Sequence, residues 1–256
     1  MKRTNVLVCG AVLLATLIGS GGVYAEEQTQ QVQNPDPASA STPLTADLTT
    51  PEQTTPKPPA DPANPDNTEN KPVDGGVTGE KGNLGIAYYP KAFSFKGTLG
   101  ESELELSDSG SNPSSTGTTY NIGVKDNTRQ HNSWTLTAQL NWDLGSELPG
   151  STITVTNPNS GKVKFNTNNG VSNFSTSDLV TQSDVHGEPT VTVSSIPATV
   201  MKKESGTVGK GTYDYSLGTV GTLKLTIPSA TDLEAKQYSG KVDWNLQMTP
   251  DATSAG

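Results

Sequence analysis

Apolar and polar residues alternate in short runs along most of the chain after Asn83. Residues two positions apart in a strand point to the same face, so this alternation predicts half-buried β-strands. Such runs include Ser133–Trp142, Thr222–Ile227 and Lys241–Met248, and they are separated by Gly, Pro, Asn and Ser. The sequence between them has no helical pattern long enough for a parallel crossover. We therefore expect an all-β fold, specifically a two-layer antiparallel β-sandwich.

Residues 1–25 have the pattern of a secretory signal peptide. Basic residues at positions 2 and 3 precede the apolar run Val6–Ile18, and small residues close the segment at Ala25. The run is shorter than the roughly 17–25 residues that span a bilayer, so we expect cleavage and a secreted product with no transmembrane anchor in the mature chain. The single cysteine, Cys9, lies in this segment, so the mature chain is expected to contain no disulfide.

Residues 26–82 are rich in Pro, Thr, Asp, Asn and Gln and contain no aromatic residue. A segment of this composition buries too little apolar surface to offset the entropy lost on folding. We predict a disordered linker, which serves either as an inert spacer or as a tether that docks a partner. One folded domain, residues 83–250, follows it, and residues 251–256 form a short flexible tail.

Charge and composition exclude several classes of function. The formal net charge is -9 and no basic stripe is present, so we expect no nucleic-acid partner. The only histidines, His131 and His186, lack the spacing of metal ligands, and the sequence contains neither a nucleophile elbow nor a phosphate-binding loop. The protein is therefore not expected to be an enzyme, and we predict no catalytic residue, no metal and no cofactor.

Each tryptophan in the chain is followed two positions later by a leucine. The three triplets are Trp134-Thr135-Leu136, Trp142-Asp143-Leu144 and Trp244-Asn245-Leu246. In a strand, the indole and the leucine side chain of a triplet lie side by side on one face, and covering both is worth several kcal/mol at about 25 cal/mol per Å². The first and last triplets lie inside predicted strands and are the primary candidates for a functional site. Gly145 and Pro149 follow the middle triplet and indicate a strand end, so Trp142 and Leu144 are secondary candidates.

These features together resemble the WxL-domain cell-surface proteins of low-GC Gram-positive bacteria. The resemblance rests on the export signal, the Pro/Thr-rich linker, the two triplets in strands, and the end of the predicted domain a few residues after the last triplet. The segment Val124–Arg129 leads into the first triplet as in that family, and Gly82–Leu84 is similar to the family's opening strand. The resemblance implies a protein of the cell wall and cell surface, attached non-covalently through peptidoglycan and displayed alongside other wall-associated surface proteins.

Two questions remain open at the level of sequence. Trp134 and Trp244 are either core residues that specify the fold or a platform for a sugar ring, flanked by hydrogen-bonding residues such as Asn245 and Gln247. The alternative to wall attachment is an adhesin or assembly subunit. Such a protein binds a bacterial surface protein or a host matrix protein through a strand edge or an apolar patch.

Overall fold

The structure, a computed structural model, describes residues 42–49, 55–61, 63–64, 66–72, 82–100, 102–111, 118–204 and 206–249, without the side chains of residues 182, 183 and 249. The predicted signal peptide, the predicted C-terminal tail and much of the predicted linker lie outside these residues. The chain divides into two units, Met1–Asp47 and Leu48–Gly256. In the first unit, residues 42–47 are exposed and have no regular secondary structure.

The described residues of the second unit form two antiparallel sheets. The strands are β1 (Asn70–Pro72), β2 (Leu84–Pro90), β3 (Leu104–Ser107), β4 (Thr119–Asp126), β5 (Ser133–Trp142), β6 (Thr152–Thr156), β7 (Lys162–Asn166), β8 (Leu179–Gly187), β9 (Thr190–Val193), β10 (Ala198–Lys203), β11 (Gly211–Thr219), β12 (Lys224–Ile227) and β13 (Gly240–Thr249). The larger sheet has nine strands in the order β1-β2-β4-β11-β7-β8-β10-β5-β13, and the smaller has four in the order β3-β12-β6-β9. A short 3-10 turn, Thr176–Asp178, precedes β8.

Strand β5 shows how the alternating sequence becomes the core. Trp134, Leu136, Ala138 and Leu140 are buried on one face, while the residues between them are only half-buried. These four side chains belong to a single apolar cluster with residues of the smaller sheet such as Leu225. The two sheets thus pack their apolar faces over one core, and the predicted all-β antiparallel sandwich is confirmed.

The described residues between 55 and 72, which we call the N-terminal strap, lie on the nine-stranded sheet. Within the strap, β1 pairs with β2. The buried Asn70 side chain continues the pairing where β2 leaves β4: its Nδ2 donates to Thr119 O at 3.0 Å, and its Oδ1 accepts from Asn121 N at 2.7 Å. The structure therefore differs from the predicted disordered linker at residues 55–72, because buried prolines (Pro56, Pro58 and Pro59) and hydrogen bonds to the sheet together hold this segment in place.

A buried polar cluster lies beneath the strap. A bulge in β2 places Tyr88 directly over Gly123, where an added Cβ would lie 2.4 Å from the tyrosine ring. The Tyr88 hydroxyl donates to Asp214 Oδ2 at 2.7 Å, and Asn121 Nδ2 donates to Asp214 Oδ1 at 2.9 Å. Burial raises the pKa of Asp214 to about 6, although these two hydrogen bonds act in the opposite direction.

Asp214 is expected to make the domain less stable as pH rises from about 4 to about 6. The buried carboxyl holds its proton more tightly than the unfolded one, so the folded state binds more protons in this window and loses stability as they dissociate. The loss levels off about one pH unit above the pKa of Asp214, where the buried carboxyl is almost fully ionised. We expect the free energy of unfolding of Asp214→Asn, measured in urea, to rise by about 2–3 kcal/mol relative to that of the unsubstituted protein between pH 4 and pH 7. Parallel pH profiles for the two proteins would contradict this expectation.

Candidate functional site

The first triplet lies in the core, at the start of β5. The Trp134 side chain is 1% exposed and Leu136 is fully buried. The indole packs edge-on against the ring of Tyr213, with the ring centroids 5.7 Å apart. Its N–H donates to Asp126 Oδ2 at 3.0 Å. A wall ligand has no access to this ring, so we interpret Trp134 as a residue that stabilises the fold.

Asp126, at the end of β4, holds the Trp134 indole in place. The carboxylate is fully buried. Its second oxygen accepts hydrogen bonds from the backbone N–H of Thr128 at 3.2 Å and from the Thr128 hydroxyl at 2.7 Å. Gly209 packs so closely on this carboxylate that an added Cβ would lie 2.1 Å from it. The segment Val124–Arg129, which precedes the first triplet in the sequence, thus holds the Trp134 side chain in position through Asp126.

A buried lysine connects this cluster to the last strand. Lys203 of β10 lies 3.7 Å from the Asp126 carboxylate, and both side chains are fully buried. Burial lowers the pKa of Lys203, and the neighbouring carboxylate opposes this shift. The ammonium group also donates to the backbone carbonyl and the side-chain oxygen of Asn132. The Asn132 amide in turn donates to the sulfur of Met248 at 3.3 Å, so the cluster reaches β13.

The last triplet lies beside the first, on the edge strand β13. Leu246 is opposite Leu136, and Trp244 is opposite Ala138. Directly opposed residues of an antiparallel pair project to the same face, so Trp244 and Leu246 point toward the core. Both are only half-buried, because β13 is the outermost strand that the structure describes at this edge of the sheet. We call these two side chains the β13 ledge, since they form an apolar surface at the sheet edge.

The polar residues of this strand do not flank the β13 ledge. Asn245 and Gln247 alternate with Trp244 and Leu246 along β13, and both are exposed. They therefore project to the opposite face of the sheet. A ligand that stacks on Trp244 cannot use both amides as the sequence suggested.

The middle triplet is divided between a strand and a turn. Trp142 is the last residue of β5, is half-buried, and donates its indole N–H to Ser151 Oγ at 2.9 Å. Leu144 lies beyond the strand and is 99% exposed. The two side chains of this triplet thus do not form the paired surface found in the other two.

A cleft at the ends of β7 and β11 lies outside all three triplets. It has a volume of about 410 Å³. Its lining includes Pro56 of the strap, Asn127, Phe165, Asn166, Asn168 and Lys210. Sequence reasoning missed this site because its walls come from four separate segments. The asparagine-rich stretch at positions 166–169 is the one local signal that pointed to it.

The described ranges contain no group of three or more His, Cys, Asp or Glu side chains placed to hold a metal ion. Within the same part of the chain, no helix has the length and apolar character needed to cross a membrane.

Comparison with known proteins assigns the family. The model of the family described as "WxL domain surface cell wall-binding" matches residues 36–250. No curated protein and no solved structure gives a significant match. The matched range includes the N-terminal strap, the Asp126 cluster and all three triplets. The chain therefore belongs to the WxL-domain family of surface proteins that bind the cell wall.

Proposed function

We propose that the protein is held on the cell wall non-covalently, by direct binding of its β-sandwich to peptidoglycan. The observation that carries this function is the match of residues 36–250 to a surface cell wall-binding family. The charge of the chain supports direct recognition of peptidoglycan. A net charge of -9 opposes attraction to anionic wall polymers such as teichoic acids, so those polymers are poor candidates for the attachment point.

Among the triplet residues, we assign wall contact to the β13 ledge. Trp244 combines a large apolar ring with partial exposure, and such a ring accepts the C–H face of a sugar. Leu246 extends the same surface along β13. The buried Trp134 and Leu136 lie on the neighbouring strand and support the ledge from the core side.

Binding to purified sacculi tests this function. We expect the purified chain to sediment with sacculi, before and after removal of teichoic acids, with little change between about 0.05 and 1 M salt. Trp244→Ala should bind about tenfold more weakly while its far-UV circular dichroism spectrum is retained. Leu144→Ala, which alters the exposed leucine of the middle triplet, is the matched control and should bind normally. Complete loss of binding on removal of teichoic acids would contradict direct recognition of peptidoglycan.

A second function, that of an adhesin or assembly subunit, is favoured by the position of β13. Among the strands that the structure describes, β13 pairs only with β5. Its outer backbone groups are therefore available to a strand from a bacterial surface protein or a host matrix protein. In the sedimentation experiment, a chain that ignores sacculi but captures a co-exported protein or a matrix protein would favour this function over the first.

A further inference from the structure

We propose that the cleft at the ends of β7 and β11 binds an N-acetylated amino sugar. Because this sugar is a unit of the wall polymer, the inference rests on the proposed function, but it places a ligand site away from the β13 ledge. The cleft volume of about 410 Å³ lies within the range of roughly 300–1,000 Å³ that is typical of small-ligand sites. Its lining combines an aromatic ring, amide side chains and one ammonium group.

Asn127 provides the strongest indication of a ligand. The residue is 3% exposed and its backbone N–H donates to Asn83 O at 2.7 Å. Asn127 lines the cleft, and its side-chain Oδ1 is buried and accepts no hydrogen bond from any residue that the structure describes. A buried acceptor without a donor destabilises the folded state, and such groups are rare without a reason. A hydroxyl or amide N–H of a ligand would supply the donor.

Two neighbouring asparagines make the wall of the cleft rigid. Asn166 Nδ2 donates to Lys57 O at 2.8 Å, and Asn168 Oδ1 accepts from Lys57 N at 3.1 Å. The other end of the Asn168 amide donates to Asp178 Oδ2 at 3.0 Å. These bonds fix both side chains and the strap beside them before a ligand arrives. A preorganised wall lowers the entropic cost of binding.

Phe165 gives the cleft an apolar surface. The ring is half-buried and packs on Tyr213 with a centroid separation of 4.8 Å. Tyr213 in turn packs on Trp134, so the buried tryptophan of the first triplet supports the cleft through two ring contacts. A pyranose ring can lie with its C–H face on such a ring while its hydroxyl groups reach the surrounding amides.

The charges around the cleft select the class of ligand. Lys210 is exposed at the rim and forms no ion pair with a described residue, so its ammonium group is available to a carbonyl or hydroxyl oxygen. A fully ionised phosphate has no donor for Asn127 Oδ1, and a purely apolar ligand would leave that oxygen unpaired. A neutral sugar with hydroxyl and acetamido groups supplies a donor, an acceptor and an apolar face together. The glycan strands of peptidoglycan consist of such sugars.

An NMR titration of the full chain with the N-acetylglucosamine tetrasaccharide tests the site directly. We expect the side-chain amide signals of Asn127, Asn166 and Asn168 to shift, and that of Asn157, which does not line the cleft, to stay in place. The deacetylated glucosamine tetrasaccharide should bind about tenfold more weakly. If a synthetic stem peptide shifts these signals and the tetrasaccharide does not, the sugar assignment is overturned.

Substitutions separate the cleft from the rest of the domain. Asn127→Leu removes the unpaired acceptor at similar size, so its melting temperature should be no lower, while its affinity for the tetrasaccharide falls about tenfold. Lys210→Ala should weaken binding about threefold. Lys162→Ala, which alters an exposed lysine on β7, is the matched control and should not change affinity. If Asn127→Leu does not fold, the cleft assignment is tested by the titration and by the comparison of Lys210→Ala with Lys162→Ala.

The outcomes distinguish the site from the proposed function. Unchanged tetrasaccharide affinity in Asn127→Leu and Lys210→Ala overturns the cleft assignment, even if both variants still sediment with sacculi. Failure of the unsubstituted chain to sediment with sacculi overturns wall attachment instead. In that case, shifts of the cleft amides with the tetrasaccharide would still support the site.

Discussion

Replacing Trp134 by alanine is expected to lower the free energy of unfolding by about 3–5 kcal/mol. The side chain is 1% exposed, so its removal leaves a cavity in the densely packed core. The change also removes the N–H that donates to Asp126 Oδ2, a buried carboxylate oxygen. Much of the stability of an ordinary domain, about 5–15 kcal/mol, is lost by an effect of this size.

The loss of unfolding free energy in Trp134→Ala is to be compared with that in Trp244→Ala. Trp244 belongs to the same kind of triplet but is half-buried at a sheet edge, so we expect a loss of only about 1–2 kcal/mol. Trp134→Phe keeps a ring but not the N–H, and should cost about 1–3 kcal/mol. Urea unfolding midpoints at constant m-value measure all three. Equal losses at positions 134 and 244 would show that burial does not separate the two triplets.

A chain that begins at residue 83 is expected to be much less stable than one that begins at residue 48, by on the order of 4–6 kcal/mol. The shorter chain lacks Asn70, so Thr119 O and Asn121 N lose the partners that the strap provides. It also lacks Glu69, whose buried carboxylate accepts hydrogen bonds from the backbone N–H and the hydroxyl of Ser111 at 3.1 and 2.9 Å. We therefore propose that the functional domain begins within the strap.

Thermal unfolding of the two chains, followed by circular dichroism, measures this difference. In the longer chain, Asn70→Ala should reproduce about 2–4 kcal/mol of the loss, because it leaves two backbone groups of β4 unpaired. Asn64→Ala, which alters an exposed residue of the same strap, is the matched control and should have little effect. If the shorter chain unfolded at the same temperature as the longer one, the result would contradict this proposal and support a domain that begins at residue 83.

Strand prediction succeeded where one face is regularly buried and failed where the backbone or the charge pattern is irregular. The predicted run Ser133–Trp142 coincides with β5, whose buried and half-buried residues alternate. A strict alternation of apolar and polar residues does not predict β10, because a register shift between Thr199 and Met201 buries Val200 and Met201 in succession. Lys203, at the end of β10, is also buried, since Asp126 neutralises it, yet in the sequence it resembles a surface residue.

The candidate site was predictable only in part for a similar reason. The triplets on β5 and β13 have the same local pattern, so the sequence identifies both without ranking their exposure. Their exposure depends on strand order, since among the described strands β5 has two neighbours in the sheet and β13 has one. The cleft depends on contacts between residues still farther apart in sequence, because Lys57 N donates a hydrogen bond to Asn168 Oδ1, 111 positions later. A local sequence pattern does not encode a contact over such a distance.

The late position of β13 in the chain bears on how the protein reaches the surface. Asn141 of β5 and its hydrogen-bonded partner Asp243 of β13 are 102 positions apart. β4 likewise pairs with β11, a strand much later in the chain. Pairings between such distant segments slow folding, because a large loop must close before these contacts can form. A polypeptide with this connectivity cannot complete its sheet until β13 is available, and the predicted signal peptide implies export before that point. Slow folding is thus compatible with passage through an export channel as an extended thread.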